Sequence, residues 1–328
     1  MKVGAEVSPG GTGRARALAG LAERVRPDGY HRAHIGPRSQ KTETFLTDQK
    51  GSLRQPSDQS SVDDYFAAQS NFWSDIYRGE DVYALIHQQR RTQALAWVDD
   101  LGLPGESRVL DVGCGAGLAA AALAQRGLRV QASDAAPAMV DLARRHAEKT
   151  GVSDHVEFRT ADVHKLPFEA ASFDLVVALG VIPWLHSPYD AMKEIARVTR
   201  PGGSVILTCD NQKRLNYILD PRFNPRLARP REAIKRVFRR VNRLATPVGV
   251  VPSLHSPGEV DGLLGSAGLR KEKVRTLGFG PFTFLGRDVV PRALGVRLHQ
   301  RLQAHADRGS SLSFRGSQYL VHAKKRMP

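Results

Sequence analysis

A buried strand that runs directly into a glycine-rich turn, over residues 109–117, constrains the fold more than any other segment of this chain. An alanine-rich stretch typical of a helix follows the turn. Glycine allows the positive φ of a tight turn and lets a ligand lie against the backbone. The free N–H groups at the start of the next helix favour a polar or anionic ligand group. Leu118 stands where the dinucleotide fingerprint has its third glycine, which disfavours a nicotinamide cofactor. A tight turn without a ligand is the alternative interpretation.

Apolar, strand-like runs alternate with helix-like segments after this turn. The runs cover residues 128–133, 156–158, 173–179 and 204–208. Asp134 ends the first of these runs, where an acidic residue can bind both hydroxyls of a ribose, and Asp162 follows the next run. The alternation predicts a parallel, doubly wound α/β sheet that binds its ligand at the carboxyl ends of the strands.

Residues 105–210 resemble the class I S-adenosylmethionine-dependent methyltransferases of the small-molecule type. The resemblance rests on five motifs: LDVGCGAG at 110–117, ASD at 132–134, AD at 161–162, SFDLV at 172–176 and VTRPGG at 198–203. It implies the Rossmann-like methyltransferase fold, a doubly wound sheet of seven mostly parallel strands, with S-adenosyl-L-methionine as the cofactor. The segment ahead of the glycine turn is similar to the lid of quinone-precursor and magnesium-protoporphyrin methyltransferases.

The resemblance also implies roles for individual positions. Asp111 would orient the glycine loop, Asp134 would bind the ribose hydroxyls and Asp162 would accept a hydrogen bond from the adenine amine. From the residues alone, Met139 suits the apolar face of a helix, and Cys114 suits a small buried side chain rather than a nucleophile. The implied cofactor-binding residues are Asp111, Gly113, Cys114, Gly115, Gly117, Asp134, Ala135, Met139, Ala161, Asp162, Val163 and Leu179.

The loop after the fourth strand is the expected location of a catalytic base. Many members of the family carry a Glu-His pair there, but Pro183 and Trp184 occupy those positions in this chain. His186, two residues further on, is the predicted catalytic residue, because an imidazole pKa lies near the working pH. A solvent-facing loop histidine is the alternative interpretation, and His255 and Tyr77 are weaker candidates.

The rest of the chain is organised around this core. A stripe of aromatic side chains ahead of the glycine turn predicts a lid over the cofactor, although an aromatic face that packs on the core is the alternative. That stripe comprises Tyr65, Phe66, Phe72, Trp73, Ile76 and Tyr77. The predicted segments are a disordered or loosely attached extension (1–60), a helical lid (61–104), the cofactor-binding core (105–209), a basic helical cap inserted after strand five (210–257) and the C-terminal part of the sheet (258–328).

Positive charge is concentrated in the last third of the chain. The net charge is +15, and residues 210–328 alone carry 24 basic and 8 acidic side chains. Residues 231–244, from Arg231 to Leu244, predict a helix with one apolar and one basic face. Such helices bind anionic membrane surfaces or acidic partners. The alternative is a cap helix whose apolar face covers the active site while its charges lie in water.

These features predict O-methylation of an aromatic, apolar or lipid-linked small molecule. One alternative is an RNA methyltransferase that uses the basic last third, although the chain lacks the Asp/Asn-Pro-Pro-Tyr motif and any recognisable RNA-binding module, which disfavours a nucleic-acid partner. Another is a cofactor-binding, membrane-associated protein without catalysis. The chain has two cysteines, no metal-ligand spacing and no long apolar run. These features predict a cytoplasmic protein with at most peripheral membrane contact. The sequence leaves the oligomeric state open.

Overall fold

The computed structural model describes residues 59–69, 73, 75–227, 229–230, 252–285 and 287–327. Nearly all of the predicted N-terminal extension and the whole predicted basic helix over residues 231–244 therefore lie outside the described residues. In the described part of the chain, no helix is long and apolar enough to cross a lipid bilayer.

Seven of the strands form one twisted sheet. The strands are β1 (Arg108–Val112), β2 (Arg129–Asp134), β3 (Val156–Thr160), β4 (Phe173–Ala178), β5 (Thr199–Asp210), β6 (Leu269–Leu277), β7 (Thr283–Phe284), β8 (Arg287–Asp288) and β9 (Gln318–Lys325). β7 and β8 form a separate hairpin, and the main sheet has the order β3-β2-β1-β4-β5-β9-β6. Strands β1 to β5 pair in parallel, whereas β9 is antiparallel to β5 and β6. The predicted doubly wound, mostly parallel sheet is confirmed.

Helices flank the sheet and begin where the sequence provides caps. They are α1 (Gln59–Ala68), α2 (Val82–Asp100), α3 (Leu118–Ala124), α4 (Pro137–Thr150), α5 (Pro188–Val198), α6 (Leu215–Leu219), α7 (Pro257–Ser266) and α8 (Arg292–Asp307). The Asp81 carboxylate accepts from Ala84 N at 2.8 Å and caps the start of α2. Ser256 and Glu259 form a capping box at the start of α7.

Two hydrophobic cores cover the opposite faces of the sheet. On one face, Met192 and Ile195 of α5 pack with Val176 of β4. On the other face, Trp97 of α2 and Leu123 of α3 belong to the second core. Because β4 lies at the centre of the sheet with both faces covered, its sequence is apolar apart from Asp174 and does not alternate.

The aromatic stripe ahead of the sheet does not lie on one continuous helix. α1 ends at Ala68, the described residues Trp73 and Asp75 are helical, and a 3₁₀ turn lies at Ile76–Arg78. The ring of Tyr65 stacks on Trp184 with 5.9 Å between centroids, and Phe66 meets the same indole edge-on at 5.1 Å. The stripe thus extends beyond α1, and its first part packs on the loop after β4.

Candidate functional site

A cavity opens at the carboxyl ends of β1, β2, β4 and β5, where a doubly wound sheet binds its ligands. The glycine-rich loop after β1 and the loop after β4 line its inner part. Side chains of α1 and α2 line it from the other side. The Gly280–Pro281 segment and the start of β9 at Gln318 line its outer part.

The glycine loop combines three left-handed residues with different surroundings. Gly113, Gly115 and Gly117 have φ values of 63°, 52° and 76°. A Cβ at Gly113 would collide with Val181, whereas a Cβ at Gly115 would meet nothing within 4 Å. Gly115 lines the cavity, so the open space beside it is the space that a ligand can occupy.

Gly117 is the one predicted cofactor residue that does not line the cavity. A Cβ at this position would lie 2.8 Å from Cβ of Ala143 in α4. The glycine therefore allows the start of α3 to pack closely on α4, and its contact with the cofactor stays a prediction. The other eleven predicted cofactor residues all line the cavity.

Asp134 holds the glycine loop from the end of β2. Its two carboxylate oxygens accept hydrogen bonds from Gly115 N at 2.9 Å and from Ala136 N at 3.0 Å. Burial raises the pKa of this carboxyl above its usual range. The carboxylate lines the cavity in a fixed orientation, and its remaining lone pairs are available to hydroxyl donors.

Asp111 is a buried carboxyl at the end of β1. It is 2% exposed, and its Oδ2 has no hydrogen-bond partner among the described residues. Burial, with a smaller contribution from the nearby charge of Asp134, raises the pKa of Asp111 to about 7. A buried acid with an unpartnered oxygen against a cavity is suited to a donor from a ligand or from a bound water.

The loop after β3 forms a second polar edge of the cavity. Asp162 Oδ1 accepts from the backbone N–H of His164 at 2.9 Å and lies 2.6 Å from the ring nitrogen Nδ1 of the same histidine. Asp63 of α1 reaches the cavity from the opposite side, and burial raises its pKa. Ala135 and Met139 supply apolar contacts between these groups and the end of β2.

The predicted base His186 does not line the cavity. Its side chain is exposed, and its Nδ1 lies 3.2 Å from Oε1 of Gln59. Its ring packs on that of His164 with 3.9 Å between centroids. The turn at Ile182–Trp184 directs Trp184 to the cavity and carries His186 past its edge.

Arg90 of α2 is a buried cation that lines the cavity. It is 7% exposed, its Nε has no hydrogen-bond partner among the described residues, and its Nη2 donates to the Tyr77 hydroxyl at 3.1 Å. A Cβ at Gly180 would lie 2.6 Å from Nη1, so the guanidinium lies against the backbone at the end of β4. A buried guanidinium without a carboxylate partner is costly unless an anion joins it.

The outer part of the cavity carries a further polar group of residues. Asp210 at the end of β5 pairs across the sheet with Gln318 of β9, and both line the cavity. Gln318 is 7% exposed, and its Oε1 has no partner among the described residues. Arg214 Nη2 lies 3.5 Å from the Asp210 carboxylate. Around these polar groups, the lining is aromatic and includes Phe66, Trp73, Tyr83 and Trp184.

Sequence reasoning missed several of these residues for identifiable reasons. Arg90 occupies the buried stripe of α2, between Ile86 and Ala94, and a charge at a core position of an amphipathic helix is the signal that could have revealed it. Asp210 ends a strand, as Asp134 does, and could have been found by the same rule. Gln318 has no such signal, because its position depends on the register of β9 against β5.

Known proteins similar to this chain identify the domain. Residues 110–207 match the profile of the methyltransferase domain family. The ubiquinone biosynthesis O-methyltransferase of Methylocella silvestris is 44% identical over 96 residues, which cover 29% of this chain and 37% of the relative. The enzyme of the same name from Paracidovorax citrulli is 31% identical over 155 residues, 47% of this chain and 63% of that protein. The chain thus spans less than two thirds of the length of these relatives.

Solved structures show the same fold at low sequence identity. Magnesium protoporphyrin IX methyltransferase from Synechocystis PCC 6803 with bound SAH superposes with a TM-score of 0.54 and 20% identity, covering 82% of this chain and 100% of that one. The 4+2 cyclase SpnF superposes with a TM-score of 0.54 and 17% identity, covering 84% and 99%. These structures establish the fold of this chain, not its reaction.

The residues present fit S-adenosylmethionine, the cofactor of this domain. The open backbone at Gly115 leaves room for the ligand, and the fixed carboxylate of Asp134 suits a ribose diol. The unpartnered groups of Asp111 and Arg90 are complementary to an ammonium and a carboxylate. Residues 110–207 therefore carry a methyltransferase domain, and the described residues around it fit this cofactor.

Proposed function

We propose that this chain, which carries a class I methyltransferase domain, transfers the methyl group of S-adenosylmethionine to a hydroxyl of an apolar small molecule. The observation that carries the proposal is that one cavity is lined both by the glycine loop with its carboxylates and by aromatic side chains beside the Asp210–Gln318 pair. The inner part holds the groups that match the cofactor. The outer part offers hydrogen-bond acceptors among aromatic rings, which suits a hydroxyl on an apolar body.

The inner half would orient the cofactor through groups at both of its ends. Asp134 would accept from the ribose hydroxyls, while Asp162 and Met139 would border the adenine. Arg90 would pair with the methionine carboxylate, because it is the buried cation next to the glycine loop and the loop after β4. Holding both ends fixes the direction of the sulfonium, and orientation is the main contribution that a protein makes to a methyl transfer.

Asp111 supports a testable pH dependence of cofactor binding. Its raised pKa of about 7 means that it is protonated in the free protein below about that pH. An ammonium group favours the ionised form, so binding below about pH 7 would release a proton. The affinity for S-adenosylhomocysteine is therefore expected to rise with pH, by up to about tenfold per unit, as the pH increases toward about 7, and to level off above it.

Calorimetric titrations across this range, in buffers of different ionisation enthalpy, measure both the affinity and the proton release. The Asp111→Asn variant is expected to bind with a flatter pH profile and less proton release. An unchanged pH profile in this variant would show that Asp111 does not cause the pH dependence of cofactor binding.

The outer half would bind the acceptor. Asp210 and Gln318 present two hydrogen-bond acceptors side by side, so a hydroxyl donor on the substrate would satisfy them. We assign the proton transfer to Asp210: its carboxylate takes the hydroxyl proton as the oxygen attacks the methyl carbon. When bound, S-adenosylmethionine would supply the methyl group and leave as S-adenosylhomocysteine, with the electron pair of the broken C–S bond on sulfur. The aromatic rings of α1 and of the loop after β4 would act as a lid that excludes water.

Replacing Asp210 by asparagine is expected to lower the rate of methyl transfer by about 100-fold, the contribution of a general base. The affinity for S-adenosylhomocysteine should stay unchanged, because Asp210 belongs to the acceptor half. His186→Asn is the matched comparison, since it removes the base that the sequence predicts but lies outside the cavity. A slow His186→Asn variant together with a fast Asp210→Asn variant would reverse this assignment.

Two rival functions make different predictions. RNA methylation would require binding of RNA that weakens steeply with salt, whereas the described cavity is lined by aromatic and apolar groups suited to a small molecule. A protein that binds the cofactor without catalysis would show affinity for S-adenosylhomocysteine but no turnover. The curated relatives named above are O-methyltransferases of ubiquinone biosynthesis, which favours an oxygen acceptor over both rivals.

The experiment that tests the function supplies methyl-labelled S-adenosylmethionine with a panel of phenols, catechols, hydroxylated polyketides and lipid extracts. Label in an organic-soluble product, with its methyl on oxygen by mass spectrometry, supports the proposal. Asp134→Asn, which should not hold the cofactor, provides the background. Label that enters RNA, or cofactor binding without any product across the panel, would count against it.

A further inference from the structure

The β7–β8 hairpin and its neighbours expose large apolar side chains. Five residues, here called the hairpin surface, are each between 49% and 58% exposed: Leu219, Phe284, Leu285, Val289 and Leu294. Single exposed apolar residues are ordinary, but several together mark an interaction surface. These residues are concentrated in two short segments, one that ends α6 at Leu219 and one over residues 284–294. This concentration indicates a surface that binds a partner.

Hydrogen bonds join the two segments. The buried carboxylate of Asp220 accepts from Leu285 N at 3.2 Å and from the Thr283 hydroxyl at 3.1 Å. Arg222 Nη1 donates to the carbonyl of Leu285 at 3.1 Å. Because these bonds hold the tip of the hairpin against the turn after α6, Leu219 and Leu285 belong to one surface.

The charges around this surface are mostly positive. Residues 213–230 and 282–297 contain eight basic and two acidic side chains. Of the two acids, Asp220 is fully buried in the hydrogen bonds just described. Arg226, Arg287 and Arg292 are exposed. The surface thus combines exposed aliphatic and aromatic groups with guanidinium groups.

This combination indicates the chemistry of the partner. Anionic lipid headgroups attract arginine, and the boundary below them accepts aliphatic and aromatic side chains. RNA would use the arginines but would leave Leu285, Val289 and Leu294 exposed to water. An anionic lipid surface is therefore the partner that satisfies both properties.

The hairpin surface also adjoins the mouth of the cavity. Gly280 and Pro281, which lead into the hairpin, and Asn216 of α6 all line the cavity. A Cβ at Gly280 would lie 2.8 Å from the side chain of Val82, so the base of the hairpin packs on the start of α2. A bilayer that contacts the hairpin would lie beside the entrance for an apolar acceptor.

We propose that the hairpin surface docks this protein on an anionic lipid bilayer, with Phe284 and Leu285 entering the headgroup boundary and the surrounding arginines binding lipid phosphates. The docking goes beyond the proposed methyl transfer and requires neither cofactor nor acceptor. A failure of the docking experiment would therefore leave the proposed methyl transfer untouched, and the reverse also holds.

The test is co-sedimentation of the full chain with phosphatidylcholine vesicles, with and without phosphatidylglycerol. We expect binding to the vesicles that contain phosphatidylglycerol, and at least a tenfold loss in Phe284→Ser/Leu285→Ser. Arg226→Glu/Arg287→Glu should cause a similar loss and provides a second variant that leaves the apolar tip intact. Val274→Ser on β6 is the apolar control, and Arg301→Glu on α8 is the charge control; both should bind like the wild type.

Five outcomes would overturn the proposal. Two concern the vesicles: equal binding to both kinds, or no binding to either kind. Another is a dimer in light scattering that Phe284→Ser/Leu285→Ser converts to a monomer, which would assign the surface to a second copy. A fall in thermal stability without any change in vesicle binding would assign it to a segment of this chain. Binding to RNA that only the arginine variant loses would assign the charges to nucleic acid.

Discussion

Replacing Asp134 by asparagine is expected to weaken binding of S-adenosylhomocysteine by about 100-fold or more. Hydrogen bonds from ribose hydroxyls to an ionised carboxylate are worth about 1.5–3 kcal/mol each, and two such bonds correspond to a loss of at least about two orders of magnitude. The asparagine also places an NH₂ donor against Gly115 N or Ala136 N. In the wild type these two backbone N–H groups donate to the Asp134 carboxylate. Isothermal titration calorimetry measures the loss.

Asp154→Asn is the control for this change. Asp154 is exposed in the turn before β3, and the same loss of charge there should leave the affinity unchanged. Thermal unfolding of both variants separates lost binding from lost folding. Equal affinities in wild type and Asp134→Asn would mean that the ribose lies elsewhere.

The second large effect is expected for Arg90→Leu. Truncating one partner of a buried charge pair costs about 2–5 kcal/mol, so the affinity for S-adenosylhomocysteine should fall by about 100-fold. The affinity for 5′-methylthioadenosine should not change, because that molecule lacks the amino acid that carries the carboxylate. Leucine also removes a buried cation that has no carboxylate partner in the described chain, so the cofactor-free variant should unfold at the same temperature as the wild type or higher.

Arg91→Leu distinguishes this role from a general effect of positive charge. The Arg91 guanidinium lies over the ring of Tyr77 at 5.0 Å from its centroid, one residue further along α2. The account predicts a small effect of Arg91→Leu on both ligands. A large loss in Arg91→Leu, or an equal loss of both ligands in Arg90→Leu, would contradict the assignment of the carboxylate to Arg90.

The parallel half of the sheet was predictable because its signals are local. β4 is apolar apart from Asp174, and the glycine turn after β1 requires a positive φ at Gly113 and Gly115. Acidic residues that end strands identified Asp134 directly. These features depend on a few neighbouring residues and on the two-sided burial of a parallel strand, so they can be recognised without any knowledge of long-range contacts.

The acceptor half was less predictable because distant segments build it. Gln318 reaches the cavity only through the antiparallel register of β9 on β5, which places it opposite Asp210. The helix α1 ends at Ala68, so the aromatic stripe, which appears continuous in sequence, extends beyond the helix that carries Tyr65 and Phe66. His186 lies two residues beyond Trp184, the last residue of the tight turn that directs Trp184 to the cavity. An offset of two residues at such a turn decides whether a side chain faces a ligand or solvent.

The central claim is that one cavity holds S-adenosylmethionine between Asp134 and Arg90 and leaves its outer, aromatic part to the acceptor. A crystal structure of the complex with S-adenosylhomocysteine tests it most directly. The account predicts the ribose hydroxyls within hydrogen-bond distance of Asp134, the carboxylate on the Arg90 guanidinium and the sulfur facing Asp210 and Gln318. A nucleoside away from Asp134, or a sulfur that faces away from Asp210, would contradict it.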